Sequence, residues 1–233
     1  ADRINGPLER AVATIRGTRL KRVYEVRLEG DDGRTETRFV LAKSVGWGWL
    51  GYHAFIAGKR LAHFVPPVLG LREGILYSEW LLPEETEPLR AEYREQWIET
   101  AADYVAERAR FLRLATDPGP ELMRDQRHRG LELLAGVLHG AYGGNLAGAL
   151  FRARLHSRLA ALPCPFPTMI DGRMRPGEWI RSGGKFLKTD FEHHGLSKFE
   201  LNATDPAFDL ADFILEHGLS TVEEEYFVAR YVA

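Results

Sequence analysis

The sequence predicts an α+β protein in two lobes, a small antiparallel β-sheet lobe followed by a mainly helical one. Strand-like runs and hairpin signals fill the chain as far as Leu82, and helical three- and four-residue apolar spacing takes over from Trp97. A later stretch, Pro167 to Ala211, returns to short strands and gathers acidic residues at their ends.

Leu8 to Lys43 reads as β-structure. Val12, Thr14 and Ile15 precede a turn at Gly17. Val23, Tyr24, Val26 and Leu28 form a second run, closed by the hairpin signal Asp31-Asp32-Gly33, and Phe39, Val40 and Leu41 make a third that delivers Lys43. Gly46-Trp47-Gly48-Trp49 then leads into a helix ending near Phe64. Trp47 and Trp49 read as packing aromatics or, alternatively, as a platform for a phosphate or ring. No acidic residue lies between Lys43 and Glu73, so no glutamate in this helix is available to pair with the lysine. Pro66 to Leu69 and Ile75 to Leu82 form two more strands about a Glu73-Gly74 turn. Glu84 onward is charged and contains proline, which suits a boundary between lobes spanning residues 1–83 and 84–233.

In the second lobe Trp97, Ala101, Tyr104, Val105, Ala109, Phe111 and Leu112 mark a helix that Asp117-Pro118-Gly119-Pro120 must stop. Leu131 to Leu138 and Ala147 to Leu162 are further helix candidates. Two basic groups, Arg124, Arg127, His128 and Arg129, and Arg152, Arg154 and Arg158, read as solvated helix faces rather than anion sites.

Composition narrows the function. At 233 residues with a net charge of −2 the chain has room for a sizeable core and lacks the basic excess of a nucleic-acid-binding protein. The single cysteine, Cys164, rules out an intrachain disulfide and suits a reducing, cytoplasmic setting. No apolar run approaches membrane-spanning length, so no membrane partner is expected. The sequence stops directly after the amphipathic segment Thr221 to Ala233, an ending that would suit a longer parent chain. Nothing in it fixes an oligomeric state.

The chemistry concentrates between Pro167 and Ala211. Met169 and Ile170 lead to Asp171, a Pro176-Gly177 turn puts Glu178 at its exit, and the short strand Lys185 to Lys188 delivers Asp190. Carboxylates at the ends of two short strands joined by a Gly-Gly turn can converge on a divalent cation. Asp205-Pro206 opens a helix carrying Asp209, whose carboxylate is placed to hold backbone N–H groups of the turn.

These residues resemble the catalytic segment of the aminoglycoside phosphotransferase and choline kinase family, which has the protein-kinase-like fold. Gly172, Pro176 and Gly177 match its His-Gly-Asp-Leu-His-Pro-Gly-Asn motif, Asp190-Phe191-Glu192 falls on its metal site, and Asp205 to Ala211 matches its Asp-Pro-x-x-Asp-Leu-Ala run. The family's catalytic aspartate falls on Arg173 and its metal-binding asparagine on Glu178.

The resemblance implies an ATP- and Mg²⁺-dependent phosphotransferase acting on a hydroxyl of a small molecule. Lys43 would meet the α- and β-phosphates, the Gly17 turn would cover them, and Glu79-Trp80-Leu81 would form the adenine-binding hinge. Asp190 and Glu178 would hold Mg²⁺. Asp171 stands nearest to replace the general base, and Arg173 would stabilise transferred charge or pair with Asp171 or Glu178. Two other readings stand beside this one. Arg173 in place of the base suits a kinase-like domain that binds nucleotide without transferring phosphate. His193 and His194 beside Asp190 and Glu192 suggest a metallohydrolase, although adjacent side chains rarely ligate one ion.

Overall fold

The computed structural model describes residues 2–14, 20–30, 33–87, 90–117, 161–192 and 203–233, with Gly136, Gly140, Ala141, Gly143 and Arg158 besides. It begins with a helix where the sequence suggests a strand: α1 spans Asp2–Thr14. The dipeptide Gly6-Pro7 reads as a helix breaker, but one long-range anchor overrides it. Asn5, buried at 5% exposure, donates from Nδ2 to the Val23 carbonyl (2.9 Å) and accepts from the Val23 N–H at Oδ1 (2.8 Å). The amide thus pairs with Val23 as a neighbouring strand would, and Ile4 and Leu8, one turn apart, are half-buried beside it.

Four antiparallel strands follow in the order β1-β2-β4-β3: β1 (Lys21–Glu29), β2 (Thr35–Ser44), β3 (Val68–Arg72) and β4 (Ile75–Glu79). The expected hairpins form. Gly33 takes a φ of 75° in the β1–β2 turn, while Glu73 and Gly74 both have positive φ, as a two-residue type I′ turn requires. Lys21 and Lys43 face each other in the β1–β2 register, at the end of the sheet nearest the acidic segment. Helix α2 (Trp49–Arg60) packs close against that segment at Gly58. A Cβ there would run into the Val68 side chain and lie 3.0 Å from the Phe191 ring.

The long helix α3 (Arg94–Phe111) buries Ile98, Ala101, Ala102, Tyr104, Val105 and Arg108 along one face. Beyond it come β5 (Thr168–Met169), β6 (Trp179–Ser182), β7 (Lys185–Lys188) and β8 (Ala203–Thr204), paired β5–β8 and β6–β7. Helix α4 (Ala207–His217) ends at left-handed Gly218 (φ 54°), and α5 (Thr221–Val232) starts from a capping box in which Ser220 and Glu223 exchange side-chain bonds. One apolar core joins the two lobes, running from Val45, Ala57 and Leu76 through Tyr104 and Phe191 to Phe213 and Phe227. The helices expected at Leu131 to Leu138 and Ala147 to Leu162, and both basic groups, lie outside the described residues save residues 136, 158, 161 and 162. Gly17, His193 and His194 lie outside them too.

Asn5→Ala leaves the buried N–H and C=O of Val23 without these partners. We expect a loss of roughly 1–3 kcal/mol, seen as a lower urea midpoint at unchanged slope. An unchanged midpoint would show that α1 contributes nothing to holding β1.

Candidate functional site

The site is built on Arg108. This guanidinium, 1% exposed, donates from Nε to the Met169 carbonyl (3.0 Å), from Nη2 to Ile170 (3.2 Å), and from Nη1 to Phe191 (3.1 Å) and the Tyr104 hydroxyl (2.6 Å). One side chain on α3 therefore fixes both the approach to Asp171 and the backbone just after Asp190. Burial opposes its charge, but Tyr104, Asp171 and Asp209 outweigh that and raise its pKa.

Asp171 lies at the centre with no exposed side-chain surface. Its Oδ2 accepts from the Tyr104 hydroxyl at 2.5 Å and lies 3.8 Å from Arg108. Its backbone N–H and that of Gly172 both donate to the Asp209 carboxylate at 2.8 Å. Further along α4, Asp212 accepts from the Met174 N–H (2.7 Å) and the His217 ring meets the Met174 carbonyl (2.7 Å). Helix α4 thus holds the turn through three polar side chains. Burial and the nearby charge of Asp171 raise Asp209 to a pKa of about 6, against the opposing pull of Arg108 and the two N–H groups.

At the sheet end, Lys43 Nζ bonds to both Asp190 and Glu192. Lys43 is 3% exposed and Glu192 2%, so that pair is almost wholly removed from water. Lys21 Nζ lies 3.6 Å from the same Asp190 oxygen. Two lysines facing each other across paired strands repel unless an anion lies between them, and Asp190 supplies it.

Lys188, the last residue of β7, has no exposed surface. Its ammonium donates to Glu178 Oε2 (2.7 Å) and to the Asp190 carbonyl (2.9 Å), and stands 3.5 Å from both Asp171 oxygens. The other Glu178 oxygen pairs with Arg173 Nε at 2.9 Å.

No protein-family model and no curated protein matches the chain. Solved structures do. LicA in complex with AMP aligns at a TM-score of 0.52 and 19% identity over 96% of this chain and 77% of that one. A glucosamine kinase in complex with glucosamine, ADP and inorganic phosphate aligns at 0.51 and 15%, over 95% and 70%. A choline/ethanolamine kinase family protein from Mesorhizobium loti aligns at 0.50 and 16%, over 98% and 76%. The chain has the fold of these small-molecule kinases.

On this kinase-like fold Lys43, Asp171, Arg173, Glu178 and Asp190 lie in one connected group, with partners the sequence does not disclose. Lys43, which lacks an acidic partner on α2, takes two from the Asp-Phe-Glu segment instead, while His53, nearest in register to the expected helix glutamate, is buried on α2. Glu79 ends β4, and Glu79, Trp80 and Leu81 lead out of the sheet, with the Trp80 N–H donating to Phe39 (2.9 Å). Trp47 stands 75% exposed and does not pack the lobe as the sequence suggested. Arg108, Tyr104, Lys188 and Lys21 were missed. The first two sit at i and i+4 on the apolar face of α3, and Lys188 follows Phe186 by two residues on the buried face of β7. For these three a polar residue at a core position is the available signal, whereas Lys21 is partly exposed at the start of β1 and carries no such mark.

The donor set fits Mg²⁺ at one point only in part. Asp190 keeps 19% of its side chain exposed and is a hard oxygen donor facing the lysines that would receive phosphates. Glu178 does not fit, because Lys188 and Arg173 engage its two oxygens. Among the described residues no three His, Cys, Asp or Glu side chains cluster tightly enough to hold a metal ion.

The raised Asp209 pKa has a measurable consequence. Between its ordinary value of 3.8 and about 6, the native state holds a proton that the unfolded chain has released, so stability falls as pH rises through that window. The contribution is about 3 kcal/mol at most, at ~1.4 kcal/mol per pH unit. Asp209→Asn should lose this part of the slope in urea unfolding between pH 4 and 7. Parallel slopes in the two proteins would refute it.

Proposed function

We propose that this chain binds ATP where the β1–β2 hairpin meets the Asp-Phe-Glu segment, and transfers the terminal phosphoryl group to a hydroxyl of a small molecule. The observation that carries the reading is the meeting of Lys43, from the sheet, with Asp190 and Glu192, from the far end of the sequence. Strand lysine and acidic motif are the parts that a kinase uses to hold phosphates and metal. The kinase-like fold supports it, and so do the nucleotides in the LicA and glucosamine kinase structures.

In this reading residues 1–83 form the nucleotide lobe and residues 84–233 the acceptor lobe. Glu79, Trp80 and Leu81 border the adenine, and the Gly17 turn covers the phosphates. Lys43 and Lys21 exchange Asp190 for phosphate oxygens, while Lys43 keeps Glu192. Mg²⁺, when bound, would neutralise phosphate charge beside Asp190. The acceptor oxygen bonds to the γ-phosphorus, the bond from that phosphorus to the β–γ bridging oxygen breaks, and the hydroxyl proton leaves with the transferred phosphate. Asp171 is enclosed by Tyr104, Arg108 and Lys188, so it orders the turn instead of touching the acceptor. Phosphoryl transfer depends more on positioning and charge than on a strong base. Arg173, 40% exposed, is the charged side chain next to that turn and would stabilise the transferred group.

One observation favours a second reading, nucleotide binding without transfer. The Arg173–Glu178 ion pair occupies the positions where the family has its catalytic aspartate and metal-binding asparagine. Mg²⁺-dependent phosphate transfer from labelled ATP to a panel of amino alcohols and amino sugars decides between them. We expect transfer, reduced roughly 100-fold or more in Asp190→Asn. Lys43→Ala should weaken ATP binding more than adenosine binding. ATP binding with no transfer to any acceptor would favour the second reading, and equal losses for ATP and adenosine would remove Lys43 from the phosphates.

A further inference from the structure

We infer that Lys188 is the resident cation of this site: its ammonium takes the place a divalent ion would need beside Glu178, so nucleotide binds here with one divalent ion, at Asp190. The inference rests on the nucleotide reading above and deepens it. Kinases that use two ions hold one on the aspartate of the Asp-Phe-Gly motif and the other on an asparagine of the catalytic loop. Here the loop position is Glu178, and its carboxylate is already closed by two cations from the chain itself.

Four features support the assignment. β7 alternates an exposed Lys185, a buried Phe186 and a buried Lys188, so the ammonium is delivered to a core-facing position where an apolar side chain is the usual occupant. A buried ammonium is tolerated only when oxygens surround it, and Lys188 has the Glu178 carboxylate, the Asp190 carbonyl and the Asp171 carboxylate within 3.5 Å. Its strand is pinned on the backbone, with the Lys188 N–H donating to the Phe64 carbonyl (2.7 Å) and the Thr189 N–H to the Glu178 carbonyl (2.8 Å). The charges are consistent as well. Asp171 and Glu178 are met by Lys188, Arg108 and Arg173, so a dication at Glu178 would enter a cluster whose carboxylates are already neutralised. Asp190 is the contrasting case, because phosphate oxygens can take over its lysines and free its carboxylate for a metal.

Lys188 is a positioning residue in this scheme, fixed against the backbone of the metal-binding aspartate. The test counts ions instead of turnover. The 233-residue chain, saturated with a non-hydrolysable ATP analogue, is titrated with Mn²⁺ and the bound ion is counted by electron paramagnetic resonance. We expect one Mn²⁺ per nucleotide, unchanged affinity in Glu178→Gln, and at least a tenfold loss in Asp190→Asn. Lys188→Met leaves Glu178 with only Arg173, a 40% exposed side chain that a dication can displace into water, and should admit a second Mn²⁺, whereas Lys188→Arg should not. Where Lys188→Met does not fold, the count in the parent and the Mn²⁺ affinity of Glu178→Gln carry the test. Two ions per nucleotide in the parent, or a tenfold weaker Mn²⁺ affinity in Glu178→Gln, would overturn the assignment while leaving nucleotide binding intact. Failure of the parent to bind any nucleotide would overturn the nucleotide reading and this assignment with it.

Discussion

The buried Arg108 guanidinium is the interaction on which the rest of the site depends. Asp171 and Asp190 stand on separate segments, and neither segment is long enough to fix its own geometry: β5 has two residues and β7 has four. A guanidinium has five N–H donors in a rigid fork, and four of those bonds here reach three carbonyls and a tyrosine hydroxyl. The carbonyls of Met169, Ile170 and Phe191 would otherwise face a dry core without that donor. Replacing Arg108 by lysine would keep the charge but provide three donors from a single point, too few and too close together to span both segments.

From that anchor the site is organised as alternating charges. Arg108 faces Asp171, Asp171 faces Lys188, Lys188 faces Glu178, and Glu178 faces Arg173 at the surface. Lys43, Asp190 and Glu192 form a second group, joined to the first because Lys188 also holds the Asp190 carbonyl. Buried ion pairs are weak sources of net stability, since desolvation offsets most of the Coulomb gain. Their effect is greater on geometry, because each charge has few alternative positions that leave it paired. The network is best understood as a device for placing groups, and its stability comes from the apolar core around Tyr104, Phe191 and Phe213.

Legibility from sequence followed the range of the interactions. Both hairpins and the α3 periodicity are set by local chemistry and are readable, and Asp209 is readable as a backbone acceptor from its place in the Asp205 to Ala211 run, although the N–H groups it holds lie 37 and 38 residues away. The acidic motif and the strand lysine were readable as parts. What was not readable is their pairing, because the contact of Lys43 with Glu192 spans 149 residues. α1 is hidden for the same reason: Val12, Thr14 and Ile15 read locally as a strand, while the helix is held through Asn5 to Val23, eighteen residues away. Lys188 was overlooked because a lysine at a strand end ordinarily points to solvent. Its position in the β7 alternation, two residues after Phe186, contradicts that reading.

The two departures from the phosphotransferase pattern, Arg173 and Glu178, are better treated as one change than as two. A glutamate introduced alone beside the turn would bring an extra negative charge next to Asp171. An arginine introduced alone would need a counter-ion there, and Asp171 is already enclosed by Tyr104, Arg108 and Lys188. Made together they neutralise each other at 2.9 Å, and the second glutamate oxygen is left for Lys188. Lys188 in turn requires Glu178, since Asp171 at 3.5 Å is a looser partner than Glu178 at 2.7 Å. Arginine, glutamate and lysine thus form a connected set centred on Glu178, and replacing Glu178 alone would leave the buried Lys188 with Asp171 at 3.5 Å as its carboxylate partner.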